Sequence, residues 1–154
     1  MFNRVLVVCI GNICRSPVAE GLLRVALPQL QFSSAGLGTN DGRPADPMMV
    51  QLLQEANSLA ADLVAAHRSR QLQSWMATSA DVVLVMETSH KQQMERQYPQ
   101  LRGRVFRLLE TQKADIPDPY KQPRAAFEAA LTQIETGVQD WQRKFAALTG
   151  TKVK

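Results

Sequence analysis

Several features are missing from this 154-residue chain, and each absence removes a class of answer. No apolar run reaches the roughly 20 residues that a membrane-spanning helix needs, so no membrane insertion is expected. There is no run of Lys or Arg and no basic patch interleaved with aromatics. The formal charge of +4 and the pI near 9.4 come from residues spread along the chain. Nucleic acid is therefore not the expected partner, whereas a modest positive balance suits an acidic or phosphorylated one. Cysteine is confined to Cys9 and Cys14, which are too few and too close to make a disulfide framework. Such usage fits a reducing cytoplasm, where cysteines are more often catalytic or redox-active than structural. Two cysteines on one loop and two distant histidines do not form a metal-ligand set, and nothing in the chain calls for a cofactor. No internal repeat, low-complexity tract or linker divides the sequence. With 45% hydrophobic and 21% charged residues, it reads as one globular domain over residues 1–154.

What is present alternates between apolar runs and helical patterns. The opening MFNRVLVVC has a short apolar run and no small-residue cleavage site, so it reads as a first core strand (4–9) and not as a signal peptide. Ser16 as N-cap and Pro17 as first helical residue predict a helix over 17–27. QFSSAG at 31–36 reads as a weaker second strand, and Asp46-Pro47 repeats the cap-plus-proline signature ahead of MMVQLLQEAN. ADVVLVME at 80–87 and RVFRLL at 104–109 read as strands, with a polar-faced helix between them. In the last helix Phe127, Leu131, Ile134, Val138, Trp141, Phe145 and Leu148 recur at steps of three and four, which predicts a buried stripe. Strands alternating with helices predict an α/β fold: a central four-stranded parallel sheet with helices on both faces. Ligands in such folds sit beyond the carboxyl ends of the strands, where Cys9 falls.

The stretch VVCIGNICRSP carries the chemistry. A short turn from strand to helix aims several backbone N–H groups at one centre, an oxyanion cradle reinforced by the helix dipole. The stretch matches neither GxxxxGK[ST] nor GxGxxG, so nucleotide binding has little support. It carries instead a sulfur nucleophile, Cys9, and a guanidinium, Arg15. A thiol at a helix N-terminus within a ring of amides ionises readily, and the planar fork of Arg15 can grip two oxygens of a phosphate. This predicts attack of Cys9 on phosphorus, with the amides of Ile10, Gly11, Asn12, Ile13 and Cys14 around the transferring group. The leaving oxygen then needs a proton, and Asp118, between two prolines in DIPDPY, is the candidate acid. On spacing alone a plain proline turn explains that segment equally well.

VVCIGNICRSPVAE, SSAG at 33–36, ADP at 45–47, HRSRQ at 67–71 and IPDPY at 116–120 resemble the low-molecular-weight protein tyrosine phosphatases, in the family's order and along nearly the whole chain. MFN, LVVCIGNICRSP and SAGLG point to the bacterial branch associated with exopolysaccharide or capsule production. The resemblance implies a protein-tyrosine-phosphatase in which Cys9 is the nucleophile, Arg15 the phosphate clamp and Asp118 the general acid and base. It implies that Ser16 donates a hydrogen bond to Cys9, that Asn12 holds the loop through Ser34 and His67, and that Tyr120 walls the cleft. It places Cys14 as a partner for a reversible disulfide with Cys9. The implied partner is a phosphotyrosine protein, specifically a bacterial tyrosine autokinase, and the enzyme is expected to be a cytoplasmic monomer without cofactor.

The chain departs from the eukaryotic pattern at two places. Leu37-Gly38-Thr39 stands where those enzymes carry an aromatic, leaving Leu37 to contact substrate, and Lys121 replaces a second tyrosine. With Arg43 on a facing loop, a more positive rim is expected. Two other activities share the fold. Arsenate reductases need relay cysteines that are missing here, and protein-arginine phosphatases carry threonine at the position of Ile13. A decayed binding module would be expected to lose Cys9, Arg15 or Asp118, all of which are present.

Overall fold

The structure is a computed structural model that describes residues 3–150. Its first strand, β1 (Arg4–Cys9), is exposed only at Arg4 and buried along the next five residues. A strand buried on both faces has no polar alternation, which is why VLVVC reads as a continuous apolar run. Val5, Leu6, Val7 and Val8 are each at most 1% exposed, and burial of each such side chain contributes about 1.5–3 kcal/mol. The other strands are β2 (Gln31–Gly36), β3 (Val82–Val85) and β4 (Val105–Arg107). All pairings are parallel and the spatial order is β2-β1-β3-β4. The chain runs from β1 to one neighbour and later returns to the other side, so the strand order reverses at β1. The carboxyl end of β1 is therefore the crevice where an open parallel sheet accepts ligands.

Helices cover both faces. On one, Val5, Val7 and Cys9 pack with α1 (Arg15–Ala26), α2 (Pro47–Glu55), α3 (Ala61–Ala65) and α6 (Arg124–Thr149). On the other, Leu6 and Val8 pack with α4 (Ser74–Thr78) and α5 (Thr88–Gln97). The expected α/β architecture is the one observed. In α6 the predicted stripe is buried from Phe127 to Phe145, apart from half-buried Leu131, but Leu148 is 69% exposed. Gly137 lets the same helix approach closely, since a Cβ there would lie 2.6 Å from the Leu108 side chain. Among the described residues, no helix is long and apolar enough to cross a membrane.

Some expected boundaries shift. The strand expected over 80–87 narrows to Val82–Val85, and just before it the Asp81 carboxylate accepts the N–H groups of Asn3 and Arg4, both at 2.8 Å, tying the start of β3 to β1. The strand expected over 104–109 narrows to Val105–Arg107 after a turn in which Gly103 takes φ of 86°. Helices α3 and α4 had no sequence signal, since five residues are too few to show a period. At α2, Asp46 caps as expected, its Oδ1 accepting from the Met48 N–H at 2.9 Å. At α1 the expected cap is wrong: the helix begins at Arg15, Cys14 occupies the N-cap and no side chain caps it. Ser16 lies inside the first turn with its hydroxyl committed elsewhere. Pro17 is tolerated there because its missing N–H has no partner in a first turn.

Candidate active site

Between β1 and α1 the chain wraps around the Cys9 sulfur. The Asn12 N–H points at Sγ from 3.3 Å, and the Ser16 hydroxyl lies 2.9 Å from it. Asn12 adopts φ of 56°, the left-handed region that Asn tolerates better than most residues. Gly36, beside Cys9 on β2, permits the wrap: a Cβ there would stand 2.6 Å from the Ile10 carbonyl oxygen and 3.1 Å from the Asn12 side chain.

Hydrogen-bond accounting shows what the Ser16 hydroxyl can offer the sulfur. The Asn12 amide donates one hydrogen to Ser16 Oγ at 2.8 Å and the other to Ser34 Oγ at 3.0 Å. Its Oδ1 accepts from the Arg70 N–H at 2.9 Å. Ser34 passes its own hydrogen to Glu20 Oε1 at 2.5 Å. Ser16 Oγ accepts from Asn12, which leaves its single hydrogen available to the sulfur. His67 adds a contact of 2.7 Å from Nε2 to the Asn12 carbonyl. A carbonyl only accepts, so this nitrogen carries the ring proton. Burial pushes the pKa of His67 below its ordinary value, although the bond to Asn12 opposes the shift. Asn12, Ser34 and His67 thus meet behind the loop, joined by Glu20 and Arg70, which sequence reasoning missed.

In front of the loop lies a cleft of about 140 Å³. Its floor is Cys9, Ile10, Gly11, Ile13, Cys14 and Arg15, and its rim is Gly38, Arg43, Asp118 and Tyr120. Asn12 and Ser16 face away from it, into the network behind. Leu37 does not contact the cleft as expected: its side chain packs with the α4–α5 core, its N–H bonds the Cys9 carbonyl at 2.9 Å, and Gly38 takes the rim position.

Arg15 is 1% exposed. Its Nη1 is held by Glu87 Oε2 at 2.6 Å and by the Ile116 carbonyl at 2.7 Å, while Nη2 lies 3.6 Å from Asp118 Oδ2. Its Nε is buried without a partner. Asp118 is oriented by the Tyr120 N–H, which donates to Oδ1 at 3.1 Å. Arg43 donates to the Tyr120 hydroxyl at 3.3 Å, and Lys121 Nζ stands 5.4 Å from that ring, so the rim carries the expected positive charge. Cys14 is buried, with Sγ 3.8 Å from Asp46 Oδ2; burial, then the charges of Asp46 and Asp118, push its thiol well above the ordinary range. Glu87 and His90 were also missed. The one available signal was an acid ending the buried run ADVVLVME, on the strand beside β1.

The family model of the low molecular weight phosphotyrosine protein phosphatases matches residues 4–152. The chain belongs to that family. Among its relatives in the family is the probable low molecular weight protein-tyrosine-phosphatase EpsP of Ralstonia nicotianae, 43% identical over 96% of this chain and 99% of that one. The solved structure of Vibrio vulnificus Wzb in complex with benzylphosphonate is 37% identical, with a TM-score of 0.84 over 94% of this chain and 99% of that one. The YwlE arginine phosphatase from Geobacillus stearothermophilus is 32% identical and also superposes with a TM-score of 0.84, covering 94% of each chain.

Proposed function

We propose that this chain hydrolyses phosphotyrosine in proteins through a phosphocysteine intermediate. The observation that carries the reading is the Ser16 hydroxyl aimed at Cys9 Sγ at the base of a cleft bearing the free edge of Arg15 and the Asp118 carboxyl. The sulfur attacks phosphorus as the bond to the phenolic oxygen breaks, and Asp118 gives that oxygen its proton. The loop amides and Arg15 hold the charge of the transferring group. In the second step Asp118, now a carboxylate, takes a proton from the attacking water, and the phosphorus–sulfur bond breaks to return the Cys9 thiolate and free phosphate. The EpsP and Wzb relatives, both named as protein-tyrosine-phosphatases, support the activity, and the family resemblance extends it to a bacterial tyrosine autokinase of exopolysaccharide or capsule production as the protein substrate. A cytoplasmic site of action suits that partner.

The test is phosphate release from a phosphotyrosine peptide without added metal, beside Cys9→Ser and Asp118→Asn. Turnover should vanish in the first and fall roughly 10²–10⁴-fold in the second. The likeness to the YwlE arginine phosphatase gives a second reading its footing. Ile13 on the cleft floor presents an apolar side chain, which suits an aryl ring better than a phosphoguanidinium. Faster turnover of phosphoarginine than phosphotyrosine by the intact enzyme would reverse that order.

A further inference from the structure

Glu87 follows the carboxyl end of β3 and occupies the N-cap of α5, where a carboxylate ordinarily turns back to its own helix. Here it makes no cap. Its Oε2 reaches across to Arg15 Nη1 at 2.6 Å and also meets His90 Nε2 at 3.4 Å. The Ile116 carbonyl completes the grip on Nη1 at 2.7 Å. The consequence lies in the guanidinium geometry. With Nη1 anchored, the Nε–H and Nη2–H edge, the one that can fork onto two oxygens of an oxyanion, is left open beside the cleft. Nε is buried with no partner, and Nη2 has only Asp118 at 3.6 Å.

We infer that Glu87 is a positioning residue for Arg15, supported by His90, which together hold the guanidinium fork in the orientation that the transferring phosphoryl group requires. His90 is 2% exposed and faces Arg15, Glu87, Asp115 and Asp118. Burial and then the Arg15 charge push its pKa down, which favours a neutral imidazole beside the Glu87 carboxylate, with Nε2 3.4 Å from Oε2. Its Nδ1 is buried without a hydrogen-bond partner. A full positive charge there would compete with Arg15 for the carboxylate, so the neutral ring suits the arrangement.

The inference rests on the phosphatase reading, and it predicts a split. If Glu87 orients the fork, Glu87→Ala should lower kcat about 10–100-fold while KM for an aryl phosphate changes little, because the fork matters most in the transition state. Vanadate affinity should fall alongside kcat, whereas inorganic phosphate should bind equally well or more tightly, since a negative charge near the anion has gone. Glu87→Gln keeps the shape and an acceptor for Nη1, so it should recover much of the loss; it also serves if the alanine variant folds poorly. In an Arg15→Lys background, which lacks the fork, Glu87→Gln should add almost nothing. His90→Ala should show the same split more weakly. Glu87→Ala and Glu87→Gln turning over within twofold of wild type would overturn the inference, as would equal losses for phosphate and vanadate. So would an undiminished effect in the Arg15→Lys background. No turnover by wild type would instead sink the phosphatase reading, and vanadate against phosphate titrations of the same variants would still decide the role of Glu87.

Discussion

Behind the loop, Asn12, Ser16, Ser34 and Glu20 are linked by bonds of 2.8, 3.0 and 2.5 Å. In front of it, Arg15 meets Asp118 only at 3.6 Å and keeps Nε without a partner. The rear network is closed: the Asn12 amide uses both hydrogens and its oxygen, and the Ser16 hydroxyl it bonds stands 2.9 Å from Cys9 Sγ. The front is open, with donors directed at a cleft and an acid standing at its rim. A site of this kind spends its rigidity behind the reacting atoms, so that the donors need no reorganisation when charge develops in front of them. Variants at the rear should therefore impair chemistry without touching substrate, and variants at the rim cations beside the acid Asp118 should impair binding without altering chemistry.

The largest expected effect comes from opening the rear. Asn12→Ala leaves the Arg70 N–H and the Ser16 and Ser34 hydroxyls short of a partner and puts Ala at φ of 56°. Each buried polar group left unpaired costs about 1–3 kcal/mol. We expect a clear fall in the unfolding midpoint and a loss in kcat of about 10²-fold or more, as for a displaced reacting group. Near-normal kcat in a destabilised Asn12→Ala protein would break the link between rear closure and front alignment.

Next is Cys14, which stands on the cleft floor yet belongs chemically to the buried side. Its thiol is pushed up and therefore stays protonated, so it leaves Cys9 as the reactive sulfur. The redox role that the family resemblance implies predicts reversible inactivation by mild peroxide, with recovery on adding a dithiol. Equal recovery by Cys14→Ser protein would remove that role and leave Cys14 as a packing residue.

The same contrast explains what was legible in the sequence. Cys9, Arg15 and the strand before them lie within a dozen residues, so their chemistry is written locally. The stripe of α6 was readable because 26 residues give the helical period room to repeat. Glu87 acts on Arg15 from 72 positions away, and Arg70 on Asn12 from 58, so only the folded sheet brings them together. Leu37 was misplaced for a related reason. One residue beyond β2 the chain direction decides which of two neighbours faces the cleft, and Gly38 holds that place.

A smaller effect concerns pH. His67 is kept neutral in the fold by burial, below its ordinary value of 6.5. Its contribution is fully present above the unfolded value and is lost as pH falls toward the folded one, because the unfolded chain takes up the proton first. The unfolding midpoint should therefore drop between pH 7 and 5, and His67→Asn should drop less. His90 is shifted in the same direction, so some slope should persist in the variant. An identical slope in His67→Asn would assign the acid sensitivity elsewhere.

The smallest expected effect lies at the rim. Arg43 is half-buried, 3.3 Å from the Tyr120 hydroxyl, and Lys121 stands at the same ring, so two cations flank the wall that a substrate ring would meet. Acidic residues or further phosphates beside a phosphotyrosine would meet both. Solvent-accessible pairs contribute about 0.2–1 kcal/mol, so Arg43→Ala should raise KM for an acidic phosphopeptide by about fivefold at most. Its kcat should hold, because no atom of Arg43 belongs to the network behind Cys9. A small aryl phosphate lacks the flanking charges and should be almost indifferent to the substitution. Raising the salt concentration should reproduce the same asymmetry in the intact enzyme, since screening acts on exposed charges and spares the buried Arg15. Equal sensitivity of both substrates to salt would show that the rim charge attracts phosphate itself and does not select the peptide around it.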